Sequence, residues 1–183
     1  MGVELMSNFS EPITLRLLTL NASATNGLIQ LSGSNLTFPA CLGRTGKTAS
    51  KREGDGKSPQ GVWHPQQVYY RSDKLQRPIT HLPIKPLKPN DGWCDDPDDK
   101  NYNRPVKRPY PASSEALWRQ DNMYDLIVVL DHNQRPRVKN LGSAIFMHIA
   151  KPENSATEGC LAFSEPSLRR LIAKLSTTSR VII

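Results

Sequence analysis

This chain has no apolar run near the roughly 20 residues needed to cross a membrane. Residues 1–11 also lack the basic and apolar stretches of a secretory signal, so we predict no transmembrane segment and see no leader. Cysteine is scarce as well. Cys41, Cys94 and Cys160 have no metal-ligand spacing and are too few for a disulfide-rich scaffold. We therefore expect no cofactor and no bound metal.

The odd number of cysteines leaves at least one thiol outside any internal disulfide. Cys41 and Cys94 would leave Cys160 as the reactive thiol if they paired, but the sequence alone does not decide this. An acidic run at residues 95–99 invites a calcium interpretation. It lacks the glycine and the closing glutamate of an EF-hand loop, so a solvated acidic loop is the preferred interpretation.

The chain is basic, with a net charge of +7 and a pI near 9.5. Such a balance suits an anionic partner, but no motif for DNA or RNA binding is present, and we predict no nucleic-acid partner. Basic residues cluster at 47–57, where Glu53 and Asp55 interrupt them, and at 100–108, just after the acidic run 95–99. We interpret them as solvated surface, with steering of an acidic substrate as the alternative.

The length of 183 residues suits one domain, which we place at residues 13–183 after an N-terminal segment, 1–12. Frequent proline and short apolar runs bounded by turn residues predict a mainly β fold with a few short helices. We expect strands at 13–20, 27–31, 36–42, 62–70, 125–130, 144–150 and 180–183. Helices are predicted at 164–175, with Ser164 as N-cap, and at 113–120. The proline-rich segment of about residues 77–111 is expected to be an ordered cover over the active site.

His148 and Cys160 are the residues that suggest chemistry. His148 lies on a mostly apolar strand, a short polar loop follows, and Cys160 begins the next apolar run. Two neighbouring strands would place the side chains together, and a cysteine nucleophile needs a nearby base because its thiol is mostly protonated at neutral pH. The alternative is that His148 is a satisfied core residue and Cys160 a small buried hydrophobe.

Gly159 lets the backbone turn sharply before the cysteine. Its N–H group and that of Cys160 could then point to one place, which is the geometry of an oxyanion hole.

Taken together, the early histidine, the loop and the box Thr157–Phe163 resemble the catalytic signature of the YkuD-type L,D-transpeptidases. Residues 54–63, with Ser58-Pro59 followed by Gly61 and Trp63, are similar to a second segment of that family. The resemblance covers roughly residues 13–183. It implies a β-sandwich or open-barrel catalytic domain that cross-links peptidoglycan stem peptides through a thioester on Cys160, with His148 as the general base.

This chain departs from the family pattern at two positions in the box. Glu158 stands where most members have histidine, and Ala162 where most have asparagine or arginine. A box with these changes resembles a proteobacterial branch that links the first stem residue instead of the third. We expect Glu158 to orient His148 or bind the incoming amine, with a surface role as the alternative. Further substrate-contacting or orienting candidates are Arg44, Arg52, Trp93 and Tyr102.

The resemblance implies a cell-envelope or periplasmic location, peptidoglycan as partner and carbapenem-type β-lactams as inhibitors. The same cysteine and histidine could instead serve an L,D-carboxypeptidase or endopeptidase, if water resolves the thioester. A non-catalytic basic binding module is the second alternative, and it predicts an inert thiol.

Overall fold

The regular structure of the described residues consists of fifteen strands and one helix. The computed structural model describes residues 12–153 and 155–183. The strands are β1 (Thr14–Leu18), β2 (Asn26–Leu31), β3 (Thr37–Cys41), β4 (Lys47–Thr48), β5 (Ser58–Pro59), β6 (Val62–Trp63), β7 (Pro65–Tyr70), β8 (Ile84–Pro86), β9 (Asp91–Cys94), β10 (Arg104–Lys107), β11 (Ser114–Ala116), β12 (Leu126–Leu130), β13 (Phe146–Ile149), β14 (Leu161–Phe163) and β15 (Arg180–Ile182). The helix, α1 (Glu165–Ile172), lies between β14 and β15. The prediction of a mainly β fold with a helix after Cys160 is confirmed.

Ten strands form the main sheet, in the order β6-β15-β1-β2-β3-β14-β13-β12-β7-β8. The sheet curls into an open half-barrel. Most neighbours are antiparallel, but β13 and β14 pair in parallel. Parallel strands cannot be joined by a tight hairpin, so the chain after β13 must return along the sheet before β14 begins. This return ends at Cys160.

Strands β12 and β13 lie inside the sheet and are buried on both faces. Side chains alternate between the two faces of a strand. Leu126, Val128 and Leu130 of β12 therefore enter one hydrophobic core, while Ile127 and Val129 enter a second, smaller one. This two-sided burial explains why β12 is apolar at every position.

Helix α1 covers the larger core. Ser164 Oγ accepts a hydrogen bond from the Ser167 N–H, and Pro166 lies in the first turn, where its missing donor is not needed. The buried face consists of Leu168, Leu171 and Ile172. Each side chain stabilises the fold by about 1.5 to 3 kcal/mol through burial. The predicted helix is confirmed, although it ends before the buried Leu175.

A separate three-stranded sheet, in the order β10-β9-β11, packs over the smaller core. Its residue Trp93 meets Phe146 of β13 edge to face, with ring centroids 5.1 Å apart. The proline-rich segment 77–111 therefore contains three strands, β8 to β10.

Hydrogen bonds of the Asn103 side chain connect this segment to the chain before β13. Its Oδ1 accepts hydrogen bonds from Trp93 Nε1 at 3.0 Å and from the Ala144 N–H at 3.1 Å. Its Nδ2 donates to the carbonyls of His132 and Asn133. Both the oxygen and the nitrogen of the side-chain amide therefore have hydrogen-bond partners, although Asn103 is only 1% exposed.

The helix predicted at residues 113–120 is wrong. Ser114–Ala116 form β11 instead, which pairs with β9. An eight-residue helix has little stability of its own, so the hydrogen bonds of the sheet decide the conformation here.

Three strand predictions needed smaller changes. The predicted strand 62–70 is divided at His64, because β6 pairs with β15 while β7 pairs with β12. The first strand ends at Leu18, and Leu20 is fully exposed in the turn that follows. The predicted strand at 144–150 is limited to Phe146–Ile149.

The remaining predictions concern the N-terminal segment, the cysteines and a membrane crossing. Residues 1–11 of the predicted N-terminal segment lie outside the described residues. Cys41 and Cys94 are not joined by a disulfide. Within the described ranges, no helix has the length and apolarity that a membrane crossing requires.

Candidate active site

The parallel pair β13–β14 brings His148 and Cys160 together. His148 lies opposite Ala162 in the register of the two strands, and Cys160 directly precedes β14. Because side chains alternate along a strand, Cys160 lies on the same face as Ala162 and therefore as His148. Both side chains line one cavity of about 350 Å³. The fold therefore places the two side chains in the same cavity, as the sequence suggested.

The Cys160 thiol is held by backbone groups at the start of β13 and just before it. Its Sγ accepts a hydrogen bond from the Phe146 N–H at 3.4 Å, and the thiol donates to the Ala144 carbonyl at 3.2 Å. Ala144 has a φ of 52°, in the left-handed region that costs a non-glycine residue about 1 kcal/mol. Burial raises the pKa of Cys160 to about 12. The resting site therefore contains a thiol and not a thiolate.

His148 is fixed in one tautomer. Its Nδ1 lies 2.9 Å from the Ile149 carbonyl, which can only accept, so Nδ1 carries the proton and Nε2 keeps a lone pair. The ring also meets the Tyr124 ring edge to face, at 5.4 Å between centroids. Burial lowers the pKa of His148 to about 4. A neutral imidazole with an unprotonated Nε2 is the form that a general base needs.

The turn before Cys160 is held by two hydroxyl groups. The Thr157 hydroxyl donates to the Cys160 carbonyl at 2.8 Å and accepts from the Gly159 N–H at 3.1 Å. Ser58, from the second family-like segment, donates to the same carbonyl at 3.4 Å. Two segments far apart in the sequence therefore position one backbone.

Gly159 is required in this turn. Its φ is +134°, and a Cβ added there would lie 2.7 Å from the Lys57 carbonyl oxygen. The N–H of Gly159, one of the two predicted oxyanion donors, already donates a hydrogen bond to the Thr157 hydroxyl. The Cys160 N–H donates to no acceptor among residues 12–153 and 155–183. Of the two predicted oxyanion donors, it is therefore the one that is not already hydrogen-bonded to a described group.

Lys51 lies beneath the same turn and is nearly buried. Its ammonium forms an ion pair with Asp55. Burial alone would raise the pKa of Asp55, but hydrogen bonds from Lys51 and from the N–H groups of Arg52 and Lys57 lower it overall. This pair supports the glycine-rich turn at residues 54–56 against the turn that carries Gly159.

Of the other residues predicted to contact or orient the substrate, only Glu158 lines the cavity. Glu158 lines the cavity, but its carboxylate is bonded to Arg44 Nε at 2.9 Å, and both side chains are more than half exposed. Trp93 is buried in the smaller core, and Tyr102 is buried with its hydroxyl donating to Glu53. Arg52 is exposed and does not line the cavity.

Sequence reasoning missed Glu115, Tyr124 and Asp95, which also line the cavity. Tyr124 is 4% exposed and donates to Glu115 at 2.7 Å. Burial raises the pKa of Glu115 and, more strongly, that of Tyr124. No local pattern distinguishes these residues, because β11 and the segment 121–125 reach the site only through the three-stranded sheet and β12.

In chemical terms the site contains a buried thiol, a neutral imidazole with a free Nε2, and a backbone donor at Cys160. In the part of the chain that the structure describes, no His, Cys, Asp and Glu side chains converge as metal ligands would. The arrangement suits acyl transfer by a cysteine nucleophile with a histidine base.

The comparison with known families agrees with this class of site. A family model of the YkuD L,D-transpeptidase catalytic domain matches residues 19–183. The chain therefore belongs to the YkuD L,D-transpeptidase catalytic-domain family. No curated protein and no solved structure matches it significantly.

Proposed function

We propose that this protein is a peptidoglycan L,D-transpeptidase that cross-links stem peptides through a thioester on Cys160. The observation that carries the proposal is the shared cavity of Cys160 and His148, with His148 held in the tautomer of a base. Membership of the YkuD family supplies the substrate class and a cell-envelope setting.

The first half-reaction forms the thioester. His148 Nε2 takes the thiol proton while Sγ attacks a carbonyl of the donor stem, and the Cys160 N–H stabilises the oxyanion by about 3 to 4 kcal/mol. The C–N bond then breaks, and the leaving amine receives the proton from His148. Because the thiol first donates to the Ala144 carbonyl, substrate entry must turn the S–H bond toward the base.

The second half-reaction resolves the thioester. An amine of a second stem attacks the carbonyl, a new C–N bond forms, the C–S bond breaks, and Cys160 regains its proton through His148. Attack by water at the same carbonyl would give a carboxypeptidase or endopeptidase. Lys151 lines the cavity and is exposed, so we assign it to a carboxylate of the substrate.

The test is mass spectrometry of muropeptides after incubation of purified peptidoglycan with the protein. We expect new dimers from the unsubstituted protein and none from Cys160→Ala or His148→Gln, with Cys94→Ser as the matched control that keeps activity. Fragmentation separates cross-links through the first stem residue from those through the third. Shortened stems would favour the hydrolase, and unchanged digests would favour the binding module.

A second readout is the mass of the intact protein after incubation with a carbapenem. We expect one covalent adduct, located on Cys160 by peptide mapping. An unmodified protein, or an adduct on another residue, would contradict the proposed nucleophile.

A further inference from the structure

One wall of the active-site cavity carries carboxylates that form no ion pair. Glu53, Asp95 and Glu115 line the cavity, and none of them forms an ion pair with a basic side chain of the described ranges. Glu53 and Glu115 accept instead from the neutral hydroxyls of Tyr102 and Tyr124. The chain has a net charge of +7, so it contains more basic side chains, which could pair with these carboxylates, than acidic ones.

Of three basic groups near this wall, two are bonded to other carboxylates and the third is exposed. Lys51 is bonded to Asp55. Arg119 attracts Glu115 at longer range, but its guanidinium is bonded to Asp121 at 2.8 and 2.9 Å. Lys151 is exposed. The negative charge of the wall is therefore not neutralised by these groups.

Two acceptors on the same wall lack hydrogen bonds. Asp95 Oδ1 is buried and has no hydrogen-bond partner among the described residues. The Ser143 hydroxyl, on a residue that is 7% exposed, lies near Tyr102 but makes no hydrogen bond of ordinary geometry with any described group. Buried polar atoms are normally satisfied. A ligand that donates several hydrogen bonds would satisfy both.

The chemistry of the wall fits an ammonium group better than a metal ion. Metal ions need ligands that converge on one point, and these carboxylates do not do so. A primary ammonium has three N–H donors that spread in different directions, so it can meet carboxylate and hydroxyl oxygens around a cavity. Its positive charge would also relieve the mutual repulsion of the carboxylates.

We propose that Asp95, Glu115 and Glu53 form the subsite that binds the primary ammonium of the acyl acceptor. This rests on the proposed transpeptidase function, and it assigns acceptor recognition to this wall, while Glu158 is bonded to Arg44. One carboxylate takes a proton from the bound ammonium. The neutral amine then attacks the thioester, a C–N bond replaces the C–S bond, and the second amine proton passes through His148 to Cys160.

The test separates acceptor binding from acylation. The donor is a muropeptide whose side-chain amine is acetylated, so that it can only donate, and the acceptor is an isotopically labelled muropeptide with a free amine. A parallel reaction replaces the acceptor with hydroxylamine, which is uncharged at neutral pH and gives a hydroxamate. Asp95→Asn and Glu115→Gln are compared with Asp98→Asn, an exposed residue of the same acidic run that lies outside the cavity lining.

We expect Asp95→Asn and Glu115→Gln to raise the KM for the labelled acceptor about tenfold or more, because the amide loses the negative charge that strengthens a hydrogen bond from the ammonium. Hydroxamate formation should change less than about twofold, because the amide oxygen introduced by Glu115→Gln would still accept from Tyr124 and the thioester chemistry is intact. Asp98→Asn should change neither.

Equal dimer formation by all variants would overturn the subsite. A parallel loss of dimers and hydroxamate would overturn it too, since the wall would then act on the donor or on the fold. An unsubstituted protein that forms neither product would instead refute the proposed function itself, and this is seen before any variant is compared.

Discussion

Burial keeps both Cys160 and His148 uncharged at neutral pH. Burial raises the pKa of Cys160 to about 12, so its thiol stays protonated at pH 7. With a pKa of about 4, His148 is almost entirely neutral. The pair thus differs from a thiolate–imidazolium pair, in which the nucleophile is ionised before substrate arrives. In the proposed mechanism the proton therefore moves during the attack.

This difference can be measured with iodoacetamide, which reacts with thiolate. We expect alkylation of Cys160 to be slow at pH 7 and to rise up to pH 10 without a plateau. His148→Gln should change alkylation only slightly, yet reduce acylation by a carbapenem about 10²- to 10⁴-fold, the usual contribution of a general base. A plateau of alkylation near pH 7 that is lost in His148→Gln would reveal an ion pair instead.

The two candidate reactive residues leave a signal in the sequence, whereas their surroundings do not. Cys160 follows a glycine in a recognisable box, and His148 interrupts an apolar strand, so both leave a local signal. Asp95 and Glu115 resemble ordinary surface carboxylates in the sequence. They reach the cavity because β11 pairs with β9, a long-range contact that no local spacing encodes.

Among the elements, the segment around Asn103 has the greatest influence on the site. Asn103 bonds to the Ala144 N–H, and the Ala144 carbonyl accepts the thiol hydrogen bond of Cys160. The three-stranded sheet is therefore connected to the nucleophile through two hydrogen bonds. The sequence indicated an ordered cover here from its prolines, but the strands within it depend on pairings between residues 10 to 24 positions apart.

Asn103→Ala should lower the free energy of unfolding by about 3 to 4 kcal/mol, because four hydrogen bonds are lost and buried donors remain unsatisfied. Chemical denaturation measures this loss. Asn90→Ala, at an exposed position with one long contact to Lys107, is the matched control and should cost less than about 1 kcal/mol. Equal losses in the two variants would refute the assigned role.

For the whole molecule, the buried histidine links stability to pH. The unfolded chain binds a proton at His148 below about pH 6.5, whereas the folded protein does so only near pH 4. The unfolded state therefore binds more protons in this interval, and stability should fall as the pH decreases from about 6.5 to 4. Burial also lowers the pKa of His132, so two histidines contribute in the same direction.

Thermal unfolding between pH 4 and pH 7 tests this linkage. His148→Gln should unfold with a weaker pH dependence than the unsubstituted protein, while His81→Gln, at an exposed histidine, should keep the original dependence. The opposite slope, with stability rising as the pH falls through this range, would contradict the neutral state of His148.

The burial of β12 and β13 on both faces also governs how the protein moves. Strands at the centre of two cores open only when most of the molecule unfolds, so their amide hydrogens should exchange with solvent at the rate of global unfolding. His148 lies on one of these strands. The proposed general base is therefore part of the slowest-exchanging region, and conformational adaptation at the cavity is expected mainly at its more exposed rim around Lys151 and Glu158.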